Sequence, residues 1–206
     1  MIKLLGKLPQ SVYLAFSGGI DSVVVSHFLL QGKKDVKLLY FNHMTDFGKK
    51  SVDFVKSYSK NNNFKYEIGN LQVEKDNHLS KEEFWRIERY KFFSNFNDRP
   101  IITCHHLNDQ IENWIFTSLH GNGMLIPYRN GNIIRPFLLC KKQDLIEYAK
   151  NKNITEWMED PSNLDNSYMR NYIRNNIVQH ALNVNNGLYK TIAKKVQKEF
   201  VTGESR

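Results

Sequence analysis

The residues whose types and spacing could do chemistry lie in the stretch SGGIDS, between the apolar runs VYLAF and VVVSHFLL. Gly18 and Gly19 allow the backbone to turn sharply and to come close to a ligand. Ser17 and Ser22 add hydroxyl donors, and a helix that begins here would direct its free N–H groups at an anion. Asp21 would repel that anion unless it held a Mg²⁺ ion or bonded the backbone of the turn. The pattern therefore predicts a phosphate site.

The elements that must position this turn alternate between strand and helix. The apolar patterns predict strands over 11–16, 35–41, 64–68 and 100–104, and helices over 21–31, 46–61, 81–96 and 107–119. Such alternation is typical of an α/β fold with a mostly parallel sheet and helices on both faces. We therefore expect a Rossmann-like ATP-binding core over 1–125.

The second part of the chain has a different pattern. It reads as a Gly/Asn-rich connection, a short extended piece NIIRPF, and a loop EWMEDPSNLDNSYMRN, with helices over 141–153, 168–182 and 188–200. We expect 126–206 to be an extension of the same catalytic domain that ends in basic helices. The residues after Asn171 are too few for another full domain.

The net charge and the cysteine content indicate the kind of partner and the compartment of the protein. The chain has 206 residues and a net charge of +8, and seven Lys/Arg against two Asp/Glu lie between Arg170 and Arg206. A basic end of this kind fits a polyanionic partner, although a solvated helical surface is the alternative. Only two cysteines are present, Cys104 and Cys140, which favours a reducing, cytoplasmic location without disulfides. We find no signal peptide and no membrane-spanning run.

The glycine-rich turn is not one of two common phosphate loops, because the chain has neither G-x-x-x-x-G-K-[ST] nor G-x-G-x-x-G. It instead resembles the S-G-G-x-D-S signature of the PP-loop, or N-type ATP pyrophosphatase, superfamily. That resemblance implies cleavage of ATP between its α and β phosphates. It also implies that the ATP-binding residues are Ser17, Gly18, Gly19, Ile20, Asp21 and Ser22.

Four further segments resemble one branch, the tRNA(Ile)-lysidine synthetases. CHHLNDQIEN resembles their H-H-x-D-D-Q-x-E-T element, EEFWRIERY their E-x-x-A-R-x-x-R-Y helix, and IRPFL their I-R-P-L-L piece. The segment WMEDPSNLDNSYMRNYIR resembles their long W-x-E-D-x-S-N-x-D-x-x-x-x-R-N-x-[IL]-R element. The resemblance runs from about residue 11 to 180. It covers the catalytic N-terminal domain of that family.

The resemblance implies a two-step ligation. ATP adenylates the C2 carbonyl of the wobble cytidine of tRNA(Ile) with a CAU anticodon, and the ε-amine of L-lysine then replaces AMP. The catalytic residues would be Asp21, Asp109, Glu112 and Arg135, with Mg²⁺ held by Asp21 and Asp109. The contacts to lysine and tRNA would come from Glu82, Arg86, His106, Glu159, Asp160, Asn163, Arg170, Asn171 and Arg174.

Three positions depart from the family pattern. Asn108 stands in place of an Asp, Asn113 in place of a Thr, and His120 in place of an Arg. Members of the family often carry more C-terminal domains. We therefore also consider a homodimer, which would supply an additional tRNA-binding surface.

The residues are also compatible with other functions. A tRNA thiolating enzyme would also use a PP-loop, but it needs cysteine carriers. A zinc site from His105, His106 and Asp109 lacks a fourth ligand at a matching spacing. A nucleotide- or RNA-binding module without catalysis is a third alternative, and a small-molecule amidating ligase is a fourth.

Overall fold

The computed structural model describes residues 1–73 and 78–203. The chain forms two compact units. The first, here called the sheet unit, comprises Pro9–Thr103 and Glu156–Met158. The second, the helical unit, comprises Met1–Leu8, Cys104–Thr155 and the part from Glu159 onward. The sequence-based boundary at residue 125 stays a prediction.

The sheet unit contains strands β1 (Ser11–Ala15), β2 (Asp35–Asn42), β3 (Lys65–Asn70) and β4 (Ile101–Ile102). They lie in the order β3-β2-β1-β4, and each neighbouring pair is parallel. In register, Leu14 of β1 is opposite Leu38 of β2 on one side and Ile102 of β4 on the other. All three side chains are fully buried, as expected for a parallel sheet covered on both faces.

In the described part of the sheet unit there are three helices: α1 (Ile20–Gln31), α2 (Asp46–Asn61) and α3 (Lys81–Phe93). Thr45 caps α2 by accepting the Gly48 N–H at 3.0 Å, and Ser80 caps α3 by accepting the Glu83 N–H at 3.2 Å. The predicted parallel α/β architecture is therefore confirmed. The bounds of α2 match the prediction, whereas α3 is three residues shorter because the chain turns at Ser94.

The helical unit contains α4 (Leu107–Leu119) and a hairpin of two short antiparallel strands, β5 (Arg129–Asn130) and β6 (Ile133–Ile134). There follow α5 (Lys142–Asn151), a 3₁₀ turn (Pro161–Leu164), α6 (Met169–Tyr172), a π-helix (Ile173–Ile177), α7 (Val178–Val184) and α8 (Leu188–Thr202). The predicted helical end of the chain is confirmed. The single helix expected over 168–182 is instead three segments, with the π-helix in the middle.

The core of the helical unit forms where α4 and α8 pack together. Helix α4 contributes apolar residues at four-residue spacing, and α8 does the same, so that each buries one face: Leu107, Ile111 and Ile115 on α4, and Leu188, Ile192 and Val196 on α8. Within the described residues, no helix is both long and apolar enough to cross a membrane.

Candidate active site

The SGGIDS turn, here called the phosphate turn (17–22), joins β1 to α1 at the carboxyl end of β1. Along the chain, β2 and β3 are added on one side of β1, and β4 is added on the other. The order of strands therefore reverses at β1. In open parallel sheets, ligands bind in the crevice at such a reversal, next to the carboxyl ends of the strands.

Hydrogen bonds within the phosphate turn fix its shape. The Ser22 hydroxyl donates to the Gly19 carbonyl oxygen at 2.9 Å, and the Ser17 and Ser22 hydroxyl oxygens lie 3.3 Å apart. The Gly18 carbonyl oxygen accepts the Met158 N–H at 2.8 Å. Helix α1 begins after Gly19 with no side chain capping it. A helix N-terminus without a side-chain cap is typical of anion sites.

The two glycines are required for different reasons. Gly18 has φ +81°, and a Cβ there would lie 3.1 Å from Cδ1 of Phe54, so the fold itself requires glycine. Gly19 has φ −70°, and a Cβ there would meet only ordinary contacts, the nearest being the Ser17 hydroxyl at 3.5 Å. Neither backbone strain nor crowding explains Gly19. A glycine here would let a ligand come close to the turn.

Asp21 lies in the first turn of α1 and is partly exposed. Its carboxylate is the type of oxygen donor that Mg²⁺ prefers. No group of three or more His, Cys, Asp or Glu side chains gathers as a metal site in residues 1–73 and 78–203. Mg²⁺ that accompanies phosphates commonly uses only one or two protein carboxylates, so Asp21 fits such a role.

In the helical unit, the beginning of α4 is held by a capping box between His106 and Asp109. The His106 N–H donates to Oδ2 of Asp109 at 2.8 Å, and the Asp109 N–H donates to Nδ1 of the His106 ring at 3.4 Å. Burial acts to raise the pKa of Asp109. The nearby His106 and His105, the backbone bond and Arg174 together outweigh it, so this pKa lies below its ordinary value.

Glu112 lies one turn further along α4 and is largely buried. Arg174 holds it through two hydrogen bonds, from Nε and Nη2, both at 2.8 Å. The same Nη2 lies 3.8 Å from Oδ1 of Asp109. Burial raises the pKa of Glu112, and the hydrogen bond from Arg174 limits that rise. Asp109 and Glu112, here called the acid pair, thus share one guanidinium that lies on the π-helix.

Arg170 contacts the next turn of α4. Its Nη2 donates to Oδ1 of Asn113 at 3.5 Å, and its guanidinium lies 5.8 Å from the centre of the Phe116 ring. The predicted pair Arg170 and Arg174 therefore lies along α4. His120 ends this helix with Nδ1 2.7 Å from the Phe116 carbonyl oxygen and its ring against the Phe116 ring.

Asn108 and Asn113, two of the three departures from the family pattern, have structural partners. The Asn108 amide donates to the Tyr189 hydroxyl at 2.7 Å, and its carbonyl oxygen accepts the Lys142 N–H at 3.0 Å. The Asn113 amide donates to the Met124 carbonyl oxygen at 2.9 Å. Asn108 thus connects α4 to α5 and α8.

The loop that precedes α6 is held by side chains of its own motif. Asp160 accepts the Ser162 N–H at 2.9 Å, and the Asn171 amide donates to the carbonyl oxygens of Ser162 at 2.7 Å and Asp165 at 3.0 Å. The Asn163 carbonyl oxygen accepts from Asn175 at 3.4 Å. These bonds give the loop a defined shape and leave the side chain of Glu159 exposed.

The remaining predicted site residues lie in other surroundings. Arg135 follows β6 and is buried, and its Nη1 donates to the Pro127 carbonyl oxygen at 2.8 Å. Glu82 and Arg86 lie on exposed positions of α3. Nη2 of Arg86 is 3.9 Å from Oε1 of Glu83, and its Cζ is 5.9 Å from the centre of the Tyr90 ring. The roles of these three residues stay predictions.

A family model described as a PP-loop domain matches residues 3–181. The chain belongs to the PP-loop domain family. The turn between β1 and α1 therefore lies in a domain of an ATP-binding family.

Two curated relatives are called tRNA(Ile)-lysidine synthase. The one from Buchnera aphidicola subsp. Acyrthosiphon pisum is 34% identical and covers 82% of this chain, and the one from Thermosipho africanus is 33% identical and covers 81%. This PP-loop chain spans only 41% and 43% of their respective lengths. Among solved structures, an NH3-dependent NAD synthetase from Campylobacter jejuni aligns over 96% of this chain and 89% of its own, with a TM-score of 0.52. At 16% identity that likeness shows the fold alone.

Two residues that hold predicted site residues, one in each unit, could not be found from the sequence. Met158 bonds the phosphate turn through its backbone, which no side-chain pattern could reveal. Tyr189 meets Asn108 across 81 residues of sequence. Its aromatic ring at a core-facing position of α8 gave no signal beyond packing.

Proposed function

We propose that the chain carries the catalytic part of a tRNA(Ile)-lysidine synthase. In the proposed reaction, the C2 oxygen of the wobble cytidine in tRNA(Ile) with a CAU anticodon attacks the α-phosphorus of ATP, and pyrophosphate leaves. The ε-amine of L-lysine then bonds to C2 and loses a proton, and AMP departs with the C2 oxygen. The names of the relatives and their identity to this chain support the assignment.

The phosphate turn would bind the ATP phosphates through the first N–H groups of α1 and the hydroxyls of Ser17 and Ser22. Asp21 would hold Mg²⁺. That ion would offset the negative charge of the departing pyrophosphate. Asp109 was the second predicted Mg²⁺ ligand, and one of its oxygens already accepts the His106 N–H. We therefore assign Mg²⁺ to Asp21 first.

The observation that carries the proposal is the acid pair. Two carboxylates one turn apart on α4, one of them largely buried, can accept hydrogen bonds from an ammonium group. Each oxygen of Glu112 that accepts from Arg174 keeps another lone pair. An enzyme that adds an amine needs such a site, whereas a sulfur-transferring enzyme does not.

Arg170 would contact the tRNA, and the exposed Glu159 would contact the lysine. Arg135, which is buried beside the β5–β6 hairpin, would act by positioning that hairpin. Glu82, Arg86, Asn163 and Asn171 stay proposed contacts to lysine or tRNA. A homodimer stays a proposal.

The experiment measures AMP and pyrophosphate released from ATP. Unmodified tRNA(Ile) is the acceptor, and either lysine or a sulfide donor is supplied as the nucleophile. We expect AMP release that requires both the CAU tRNA and lysine, and equal rates for a variant with Cys104→Ser and Cys140→Ala. Release that needs the sulfur donor, or that the cysteine changes abolish while the protein keeps its Tm, would assign a thiolating enzyme instead.

A further inference from the structure

Helix α8 has two opposite faces. Leu188, Ile192 and Val196 are buried against the core of the helical unit. The other side of the helix carries four exposed lysines: Lys190, Lys194, Lys195 and Lys198. Three of them follow one another at four-residue spacing, so their ammonium groups form a row along the helix. We call these four residues the lysine row.

The lysine row is not neutralised. Within residues 1–73 and 78–203, none of its four ammonium groups forms an ion pair or a side-chain hydrogen bond. On the surface helices of the sheet unit, two lysines do pair with acids three residues away: Lys49 with Asp46 at 3.2 Å and Lys91 with Glu88 at 2.6 Å. The only acid of α8 is Glu199.

Like charges at four-residue spacing destabilise a helix, so the row works against the stability of α8. Its placement is therefore better explained by a ligand than by folding. Lys141 adds a further ammonium at the beginning of α8, since its Nζ lies 4.9 Å from the centre of the Tyr189 ring. The four lysines of α8 thus outnumber its one acid, Glu199.

The charge and the surroundings of the lysine row indicate which kind of partner it binds. An amphipathic helix that binds a membrane surface inserts an apolar face, and the apolar face of α8 is already used in the core. A lysine ammonium is a compact point charge that suits phosphate oxygens and reads no base sequence. We propose that the lysine row binds the phosphodiester backbone of an RNA. This inference deepens the proposed function, because it names the surface by which the chain holds its RNA.

The test is equilibrium binding of labelled tRNA(Ile) and of an unrelated tRNA, without ATP or lysine, over a range of salt concentrations. The variant carries Lys→Gln changes at 190, 194, 195 and 198. The matched control removes the same charge from four exposed lysines of α2, Lys49, Lys50, Lys56 and Lys60. Because ATP and lysine are absent, binding can succeed or fail independently of the ligation reaction.

We expect the α8 variant to weaken both tRNAs by at least 100-fold at low salt. The slope of log affinity against log salt should fall by about 3, since each lost phosphate contact contributes roughly 0.7 to 0.9. The control should stay within about threefold of the unmodified protein, and the Tm of the α8 variant should be unchanged or higher because repulsion is removed.

Equal effects of the two variants would overturn the proposal, because net charge alone would then explain the binding. Loss of binding to phosphatidylcholine vesicles containing phosphatidylserine, with tRNA binding intact, would overturn it in favour of a membrane surface.

Discussion

At the scale of single residues, Gly18 is needed by the fold, whereas we expect Gly19 to be needed for ATP binding. Gly18→Ala forces a side chain into φ +81° beside Phe54, and we expect a loss of about 1–2 kcal/mol in the free energy of unfolding. Gly19→Ala keeps φ −70° and ordinary contacts, so its cost should stay below about 1 kcal/mol. ATP affinity of Gly19→Ala should nevertheless fall at least tenfold, or about 1.4 kcal/mol.

Urea unfolding and titration calorimetry with ATP measure the two effects separately. An ATP affinity of Gly19→Ala equal to that of the unmodified chain would show that nothing approaches the turn as closely as we infer.

Arg174 provides the second residue-scale prediction. Arg174→Lys keeps the charge, but it replaces the bidentate hydrogen bonds that the guanidinium donates to Glu112 with a single ammonium group. We expect a loss of about 1–2 kcal/mol in the free energy of unfolding, because a largely buried carboxylate is left poorly paired. The kcat/KM for lysine in AMP release should fall at least tenfold.

Arg99→Lys is the control for stability. Arg99 pairs with Asp35 at 2.8 Å on the surface, where such pairs contribute little. We expect a change within about 0.5 kcal/mol. Equal losses for both variants would mean that Arg174 has no special relation to the acid pair.

At the scale of elements, the beginning of α4 links stability to pH. The pKa of Asp109 is lower in the folded chain than its ordinary value of 3.8. The folded state thus favours the ionised carboxylate, and the resulting stability is present above pH 3.8 and is lost as pH falls through the lower, folded-state pKa. Asp109→Asn removes this contribution.

Unfolding of both proteins by urea at a series of pH values tests this. The difference in free energy of unfolding between the unmodified chain and Asp109→Asn should shrink as pH falls below about 4. A difference that is independent of pH would show that the capping carboxylate makes no ionic contribution to the helix start.

The elements also show what the sequence could and could not predict. The bounds of α2 and α4 were predicted correctly because apolar spacing is a local pattern. The caps themselves, Thr45 and His106, which each accept the N–H three residues on, were not predicted. The π-helix was missed. It brings Arg174 of one segment to Glu112 of α4, and a contact across 62 residues leaves no local pattern. The two-residue strands β5 and β6 are too short to show a period.

At the scale of the whole molecule, the fold class was predicted correctly, and so was the order of strand, turn and helix around residues 17–22, because the three elements follow each other within one short stretch. That the turn binds phosphate stays a prediction. The way in which site residues are held was not predicted. Asp160 and Asn171 turn out to shape their own loop, and Asn108 connects three helices. Such roles depend on partners that only the folded chain brings together.

The central claim is that this PP-loop chain joins lysine to the wobble cytidine of a tRNA at the expense of ATP. The most direct test incubates the purified protein with ATP, Mg²⁺, radiolabelled lysine and unmodified tRNA(Ile) bearing a CAU anticodon, beside the same tRNA with uridine at the wobble position. We predict label in the first tRNA only, with one AMP released for each lysine transferred. No label, although the protein binds both ATP and the tRNA, would contradict the claim.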